Sequence, residues 1–395
     1  MTPLEDLLRE ALASTPEPSP STDPIGTLDR RVRRARRRLA ASAGVVAAAI
    51  AVAIVVPLTV TGGGAGKPGS ISVVTPPTEQ PSPPPPGTTV LAAPDALWVA
   101  AAPAGGRWLL RQHTGGDYYV AQLGPGGLPG EGFTAPAPAD YILPGDNVVW
   151  VVGDGGPGQA VSRISAVDVR KGHVAIRTFY PGQHLGFGAV IGDYLFVDVS
   201  NDAGDQVEVF QLDGDRIKDF ASRSVPRAAE MVVAGGAIWV HSGDKLVELF
   251  LSERGIDPGV TVPWGTGPMF APTLPRTGQD GVWAYDGSRL IGLMPKALSG
   301  CLSCAEGDRV TVPGKPNAVV EAQDGLYVAV PGSGLYYYSP DALGAGETPV
   351  TASIKGVQVI TMTADPTGGV DYVDDQGQLI RWDPTCQDAH ATTCA

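Results

Sequence analysis

The sequence is poor in the residues that most often carry chemistry. In 395 residues it holds four cysteines, five histidines and seven lysines. The histidines, His113, His173, His184, His241 and His390, are scattered. None stands in H-x-x-x-H, H-E-x-x-H or E-x-x-H spacing, so spacing points to no metal site and no acid–base pair. G-x-S-x-G is absent, and so is a P-loop, which removes two large groups of hydrolases. No cofactor and no catalytic residue is read from the chain. Positive charge is also scarce, with 28 Lys+Arg against 41 Asp+Glu and a net charge of −13. An acidic body excludes nucleic-acid binding, because phosphate contacts need a basic face.

The little positive charge there is lies at one end. Residues 1–38 carry eight basic and six acidic side chains, and residues 39–395 carry 20 and 35. Seven of the eight are Arg30, Arg31, Arg33, Arg34, Arg36, Arg37 and Arg38. Directly after them, residues 39–60 run for 22 positions without a charge. At about 1.5 Å per residue this reaches roughly 33 Å, enough for a hydrocarbon core of about 30 Å. The spacing predicts a transmembrane helix, and the arginines place the N-terminus in the cytoplasm by the positive-inside rule. The expected location is the cell membrane, single-pass, with the bulk of the chain outside. A cleaved signal peptide is the alternative; the 38-residue leader is long for one, and no clear A-x-A site follows.

Before the span, Thr2-Pro3-Leu4-Glu5 reads as a capping box with proline at the first helical position. Leu4, Leu7, Leu8, Ala11 and Leu12 line one face of a short helix. Residues 2–13 are thus a candidate contact for a cytosolic protein or the membrane surface, against a tail with no partner. After the span, residues 61–87 are Gly- and then Pro-rich, an extended stalk at ~3.1 Å per proline residue. The cysteines form two local pairs, Cys301 with Cys304 and Cys386 with Cys394, read as disulfides of an exported chain. A zinc site is the other reading, with C-x-x-C as one half and His390 the only further nearby ligand.

What the chain has in abundance is glycine (52) and proline (37) beside a normal 43% apolar share, the composition of many short strands and tight turns. One phrase recurs. In DGVWAYDGSRLIGL, residues 280–293, two apolar runs flank Asp286-Gly287-Ser288. Aligned on its tryptophan, related aromatics are Trp98, Trp150, Phe196, Trp239, Trp283, Tyr327 and Tyr372, at steps of 52, 46, 43, 44, 44 and 45. Each unit is a hairpin with room for two more strands, and such small sheets bury both faces only by stacking around a ring. The expected fold is all-β, a seven-bladed β-propeller over residues 88–384, followed by a C-terminal tail over 385–395. Each aromatic is expected to fill the space between blades, contributing about 2–3 kcal/mol. The first step is longest, which assigns LGPGGLPGEG (123–132) as an insertion. Either Ile71–Val74 or Thr88–Leu91 is expected to supply the last outer strand.

With this repeat pattern, and without the Gly-His…Trp-Asp signature, the region resembles seven-bladed propellers of the YVTN, NHL and quinoprotein-like group. The order of tail, arginines, span, stalk and ring resembles membrane-anchored actinobacterial proteins, in some of which a leucine-bearing tail is linked to extracytoplasmic-function sigma-factor systems. A rigid ring on a stalk, a tail with a helix signature and no catalytic constellation point to a binding or sensing module outside the membrane, taking a peptide, protein or carbohydrate at its rim. A lyase or lactonase in the central channel and an envelope scaffold are the alternatives. His241, Asp244, Asp286 and Arg289 stand beside blade turns as rim candidates. Asp198, Asn201, Asp202 and Asp205 form the densest run of oxygen ligands, a candidate calcium loop or a plain hairpin turn.

Overall fold

Runs of β-branched and aromatic residues, cut by Gly- and Asp-bearing turns, fold into seven four-stranded antiparallel sheets. The computed structural model describes residues 85–385 apart from 93–94, 103–105, 114–115, 125, 156–160, 202–203, 226–227, 235, 254, 265–266, 271–281, 294–305, 344–349 and 367. The tail, the arginine cluster, the span, most of the stalk and all four cysteines lie outside the described residues. Among the described residues no helix is long and apolar enough to cross a membrane.

Strand β1 (Thr88–Ala92) comes first in the chain and belongs to the last blade. Blade 1 is β2 (Ala96–Ala101), β3 (Arg107–Gln112), β4 (Tyr118–Leu123) and β5 (Pro129–Ala135). Blade 2 is β6 (Tyr141–Pro144), β7 (Val148–Gly153), β8 (Arg163–Asp168) and β9 (His173–Thr178). Blade 3 is β10 (His184–Ile191), β11 (Tyr194–Asn201), β12 (Gly204–Asp213) and β13 (Arg216–Ser224). Blade 4 is β14 (Ala228–Ala234), β15 (Ala237–Ser242), β16 (Lys245–Ser252) and β17 (Gly255–Pro263). Blade 5 is β18 (Met269–Phe270), β19 (Val282–Tyr285), β20 (Arg289–Leu293) and β21 (Glu306–Thr311). Blade 6 is β22 (Ala318–Ala322), β23 (Gly325–Val330), β24 (Gly334–Tyr338) and β25 (Ala352–Lys355). Blade 7 is β26 (Val359–Ala364), β27 (Val370–Asp374) and β28 (Leu379–Trp382), completed by β1.

The first strands of successive blades touch in order, and β26 touches β2, so the ring is closed. Closure is threaded by Thr88–Ala92, which pairs antiparallel with Leu379–Trp382 and supplies the outer strand of blade 7. Because strands alternate in direction, connections between blades and between second and third strands emerge on one rim, called rim A. The turns joining strands one and two, and three and four, lie on the opposite rim B. The chain enters the ring at rim B, where Thr88 faces Trp382 and Asp383 N–H donates to Gly87 O.

Apolar packing is divided into seven clusters, one at each blade interface. A second strand is covered on both faces, so β7 is buried at every position, whereas the outer β13 is largely exposed. Trp150, Phe196, Trp239, Trp283 and Tyr327 each sit on the second strand of a blade and pack toward the next one. Two positions differ from the sequence expectation. In blade 1 the second strand carries Trp108, not Trp98, which lies one strand further in and is only half-buried. The step from Trp108 to Trp150 is 42 residues, so blade 1 has ordinary length. The segment 123–132 is the hairpin joining β4 and β5 rather than an insertion.

The second difference is in blade 7. Tyr372 packs back into the cluster shared with blade 6. The neighbouring Asp371 points the other way, toward blade 1. That interface has the smallest apolar cluster, six buried residues against fourteen between blades 6 and 7. Four charges occupy it instead. Arg107 of blade 1 pairs with Asp365 and Asp371 of blade 7, and Arg381 pairs with Asp365 and, at 3.0 Å, with Asp371. Both aspartates are fully buried and Arg107 is 5% exposed. Two cations beside two anions balance the charge that burial would otherwise make prohibitive.

Candidate functional site

On rim A the described polar side chains are most densely connected between blades 2 and 3. Asp140 and Tyr141 open blade 2, Asp154 follows β7, and Ser162 precedes β8. The connection to blade 3 runs through Tyr180-Pro181-Gly182-Gln183 to His184. Asp154 N–H donates to Asp140 Oδ2 at 2.7 Å. Asp154 Oδ1 accepts from Ser162 Oγ at 2.7 Å and lies 3.3 Å from His184 Nδ1. Gln183 N–H donates to Tyr180 O, and Tyr180 N–H donates to Gln183 Oε1 at 3.0 Å. These bonds hold the connection as a tight turn, and the turn leaves Tyr180 81% exposed.

Close backbone approach builds the rest of the mouth. A Cβ on Gly153 would stand 2.0 Å from Pro138 O, so only glycine lets the incoming connection pack against β7. A Cβ on Gly186 would stand 2.6 Å from Asp198 Oδ2. The carboxyl of Asp198 therefore lies over the innermost strand at a bulge, where Leu185 and Gly188 are out of simple register with β11, on the sheet face that its cross-strand partner Val207 turns toward blade 4. From blade 2, Tyr141 Oη donates to Gly186 O at 2.6 Å. Tyr141 also packs against Trp98, with ring centroids 5.7 Å apart.

The surroundings of Tyr141 are acidic and partly withdrawn from water. Burial raises the Tyr141 hydroxyl well above its ordinary pKa, and Asp140, Asp198 and Asp154 push it further. Asp198 is 7% exposed, and its Oδ1 has no hydrogen-bond partner. Burial, reinforced by Asp205, lifts its carboxyl from 3.8 to about 7.

The residues singled out by sequence fall on the same rim but not in one place. His241 and Asp244 belong to the second-to-third-strand hairpin of blade 4, and Asp286 and Arg289 to that of blade 5. His241 is buried, with Nδ1 4.0 Å from Glu230, so it does not present itself to a ligand. Asp286 Oδ1 accepts from Ser288 N–H and Arg289 N–H at 2.8 and 2.7 Å, which shapes the turn and lowers its pKa. Asp244 and Arg289 are exposed. In the oxygen-rich run Asn201 pairs with Gly204 as the end of a hairpin, and Asp202 lies outside the described residues. Among the described residues no group of three His, Cys, Asp or Glu side chains is gathered to hold a metal ion.

The innermost strands carry few ionisable groups among the described residues: Tyr141, His184, Glu230 and Glu321. Glu321 accepts from Trp283 Nε1 at 3.0 Å, and Glu230 accepts from Met269 N–H at 2.9 Å. The cluster of Asp140, Tyr141, Asp154, Ser162 and His184 was invisible in the sequence, because its members are spread over 45 positions and share no spacing.

No protein-family model matches the chain, and no curated protein matches it in sequence. The fold does have relatives among solved structures. YCF48 from Cyanidioschyzon merolae is similar with a TM-score of 0.51 and 13% identity, over 76% of this chain and 99% of that one. Apo AztD from Citrobacter koseri gives a TM-score of 0.45 and 13% identity, over 70% of this chain and 79% of that one. At such identity the likeness to YCF48 is one of fold. The chain is a seven-bladed β-propeller.

Proposed function

We propose that the protein is a membrane-anchored binding or sensing module whose ring stands outside the membrane and recognises a peptide or protein on rim A. The observation that carries this reading is the opposition of the two rims. The chain reaches the ring at rim B, beside Asp383, whereas the connected polar mouth and the exposed Tyr180 lie on rim A. A ring tethered through its rim B keeps rim A free for a partner. An exposed aromatic on a hydrogen-bonded turn loses little conformational freedom when covered, which suits it to recognition. The uncharged segment 39–60 and the arginines before it supply the anchor in this reading, and residues 2–13 a contact on the cytoplasmic side. Among the described residues of the innermost strands a channel enzyme finds no support, since both glutamates are already engaged.

The test is photo-cross-linking in intact cells with a cross-linking amino acid at Tyr180 on rim A or at Lys171 on rim B. Position 180 is expected to capture a defined extracytoplasmic partner that position 171 does not. Capture from 171 alone, or from neither position, refutes the assignment of rim A. Repeating the capture without residues 2–29 asks about the tail: a cytosolic partner lost with the deletion makes the protein a transmembrane regulator.

A further inference from the structure

The two faces of blade 7 are built from different chemistry. Cross-strand register sets Thr361, Val373 and Leu379 in one row and Thr363, Asp371, Arg381 and Thr89 in the next. The side chains that β26, β27 and β28 place in these rows turn toward blade 1, where Thr361 Oγ1 donates to Val99 O at 3.2 Å. Of these six, Thr361, Thr363, Asp371 and Arg381 are polar, and Thr363 is fully buried with no hydrogen-bond partner for its Oγ1 among the described residues. The opposite face carries Met362, Ala364, Val370, Tyr372, Ile380 and Trp382, all apolar and all buried in the cluster shared with blade 6.

Parting these two faces has unequal consequences. Opening toward blade 6 exposes a continuous apolar surface to water, at a cost proportional to its area. Opening toward blade 1 returns Arg107, Asp365, Asp371 and Arg381 to water, and the hydration they regain offsets much of the attraction lost between them. The outer strand is also fastened differently here. In blades 1 to 6 the chain itself runs from the third strand to the fourth. Strand β1 has no such link to β28 and is held by a ladder that is irregular between Val90 and Ala92. Leu91, at the irregularity, packs into the apolar cluster of the seam and lies against Gly127 of the blade 1 hairpin, so β1 cannot leave without loosening that interface.

We propose that the seam between blades 7 and 1 is a gate built into the ring: it opens as a unit, with β1 leaving β28 as a strap, while the other blade interfaces stay closed. The strap is where the chain enters the ring, held at its start by Thr88 N–H donating to Pro85 O and by Asp383 N–H donating to Gly87 O. A pull on the residues before it therefore reaches the strap before it reaches any blade. Rim A recognition plays no part in this device, so the two readings fail separately.

Strand β27 carries its own control. Val373 faces the seam and Val370 faces blade 6, and they are 1% and 0% exposed. Val373→Cys and Val370→Cys are made separately in the full-length protein. Modification by N-ethylmaleimide is then followed at each position by peptide mass spectrometry at increasing urea. Where reclosing outruns modification, the rate reports the opening equilibrium. Without urea, position 373 is expected to react about tenfold faster than position 370, with a shallow urea dependence because the gate exposes little surface. Position 370 is expected to follow the steep dependence of global unfolding, and the two rates to converge at the unfolding transition. Should a variant fail to fold, hydrogen exchange of the unsubstituted protein makes the same comparison between Leu379–Trp382 and its counterpart in blade 6, Gly334–Tyr338. Equal rates at the two positions, faster reaction at position 370, or one steep urea dependence shared by both overturns the gate.

Discussion

Asp198 makes the stability of this protein depend on pH in a direction opposite to that of a salt-bridged carboxylate. Its carboxyl is raised from 3.8 to about 7 by burial and by Asp205. The folded state therefore holds a proton that the unfolded chain has already lost. Stability from this group is complete below about pH 3.8 and is lost as pH rises through about 7. Between pH 5 and pH 8 the folded group spans two of those pH units, from 5 to about 7. At 1.36 kcal/mol per unit, this amounts to a loss of about 3 kcal/mol. Asp198→Asn is an uncharged isostere and removes the dependence. Urea unfolding of parent and variant at pH 5 and pH 8 measures it. Glu208, Asp371 and Asp374 are also raised, but they are present in both proteins and cancel in the difference. The parent is expected to lose about 3 kcal/mol more than the variant over that interval. A difference below about 0.5 kcal/mol refutes the assignment of a neutral, buried Asp198.

Two further outcomes follow from the packing. Arg107→Met leaves Asp365 and Asp371 buried beside Arg381 alone, and is expected to cost about 3–5 kcal/mol in thermal or urea unfolding; an effect within about 0.5 kcal/mol denies the four-charge cluster a part in closing the ring. Trp108→Ala is expected to cost about 3–5 kcal/mol, like Trp150→Ala, and Trp98→Ala clearly less; the reverse order restores Trp98 as the wedge of blade 1.

Much of the ring is legible in the order of residues. A hairpin repeated at 43–46 residues cannot bury its faces alone, so period and turn chemistry together require stacking around an axis. Five of the seven aromatics occupy the wedge position for that reason. Trp98 does not, because blade 1 has aromatics on two successive strands, Trp98 and Trp108, and a tryptophan after a turn looks the same on either. Tyr372 departs from the pattern in a different way. Spacing locates a residue along a strand but does not say which face it takes.

Strands, turns, the number of blades and the uncharged run behind an arginine cluster are all local properties. They depend on neighbours a few residues apart, and the amino-acid order is enough to specify them. Which of two candidate segments closes the ring is not local, and neither is the meeting of blades 7 and 1 through Arg107, Asp365, Asp371 and Arg381. The polar mouth of Asp140, Tyr141, Asp154 and His184 belongs with these, since folding alone brings its members together. Arg107 and Asp371 are 264 residues apart, and their attraction exists only after the ring has joined first and last blades and removed water from between them.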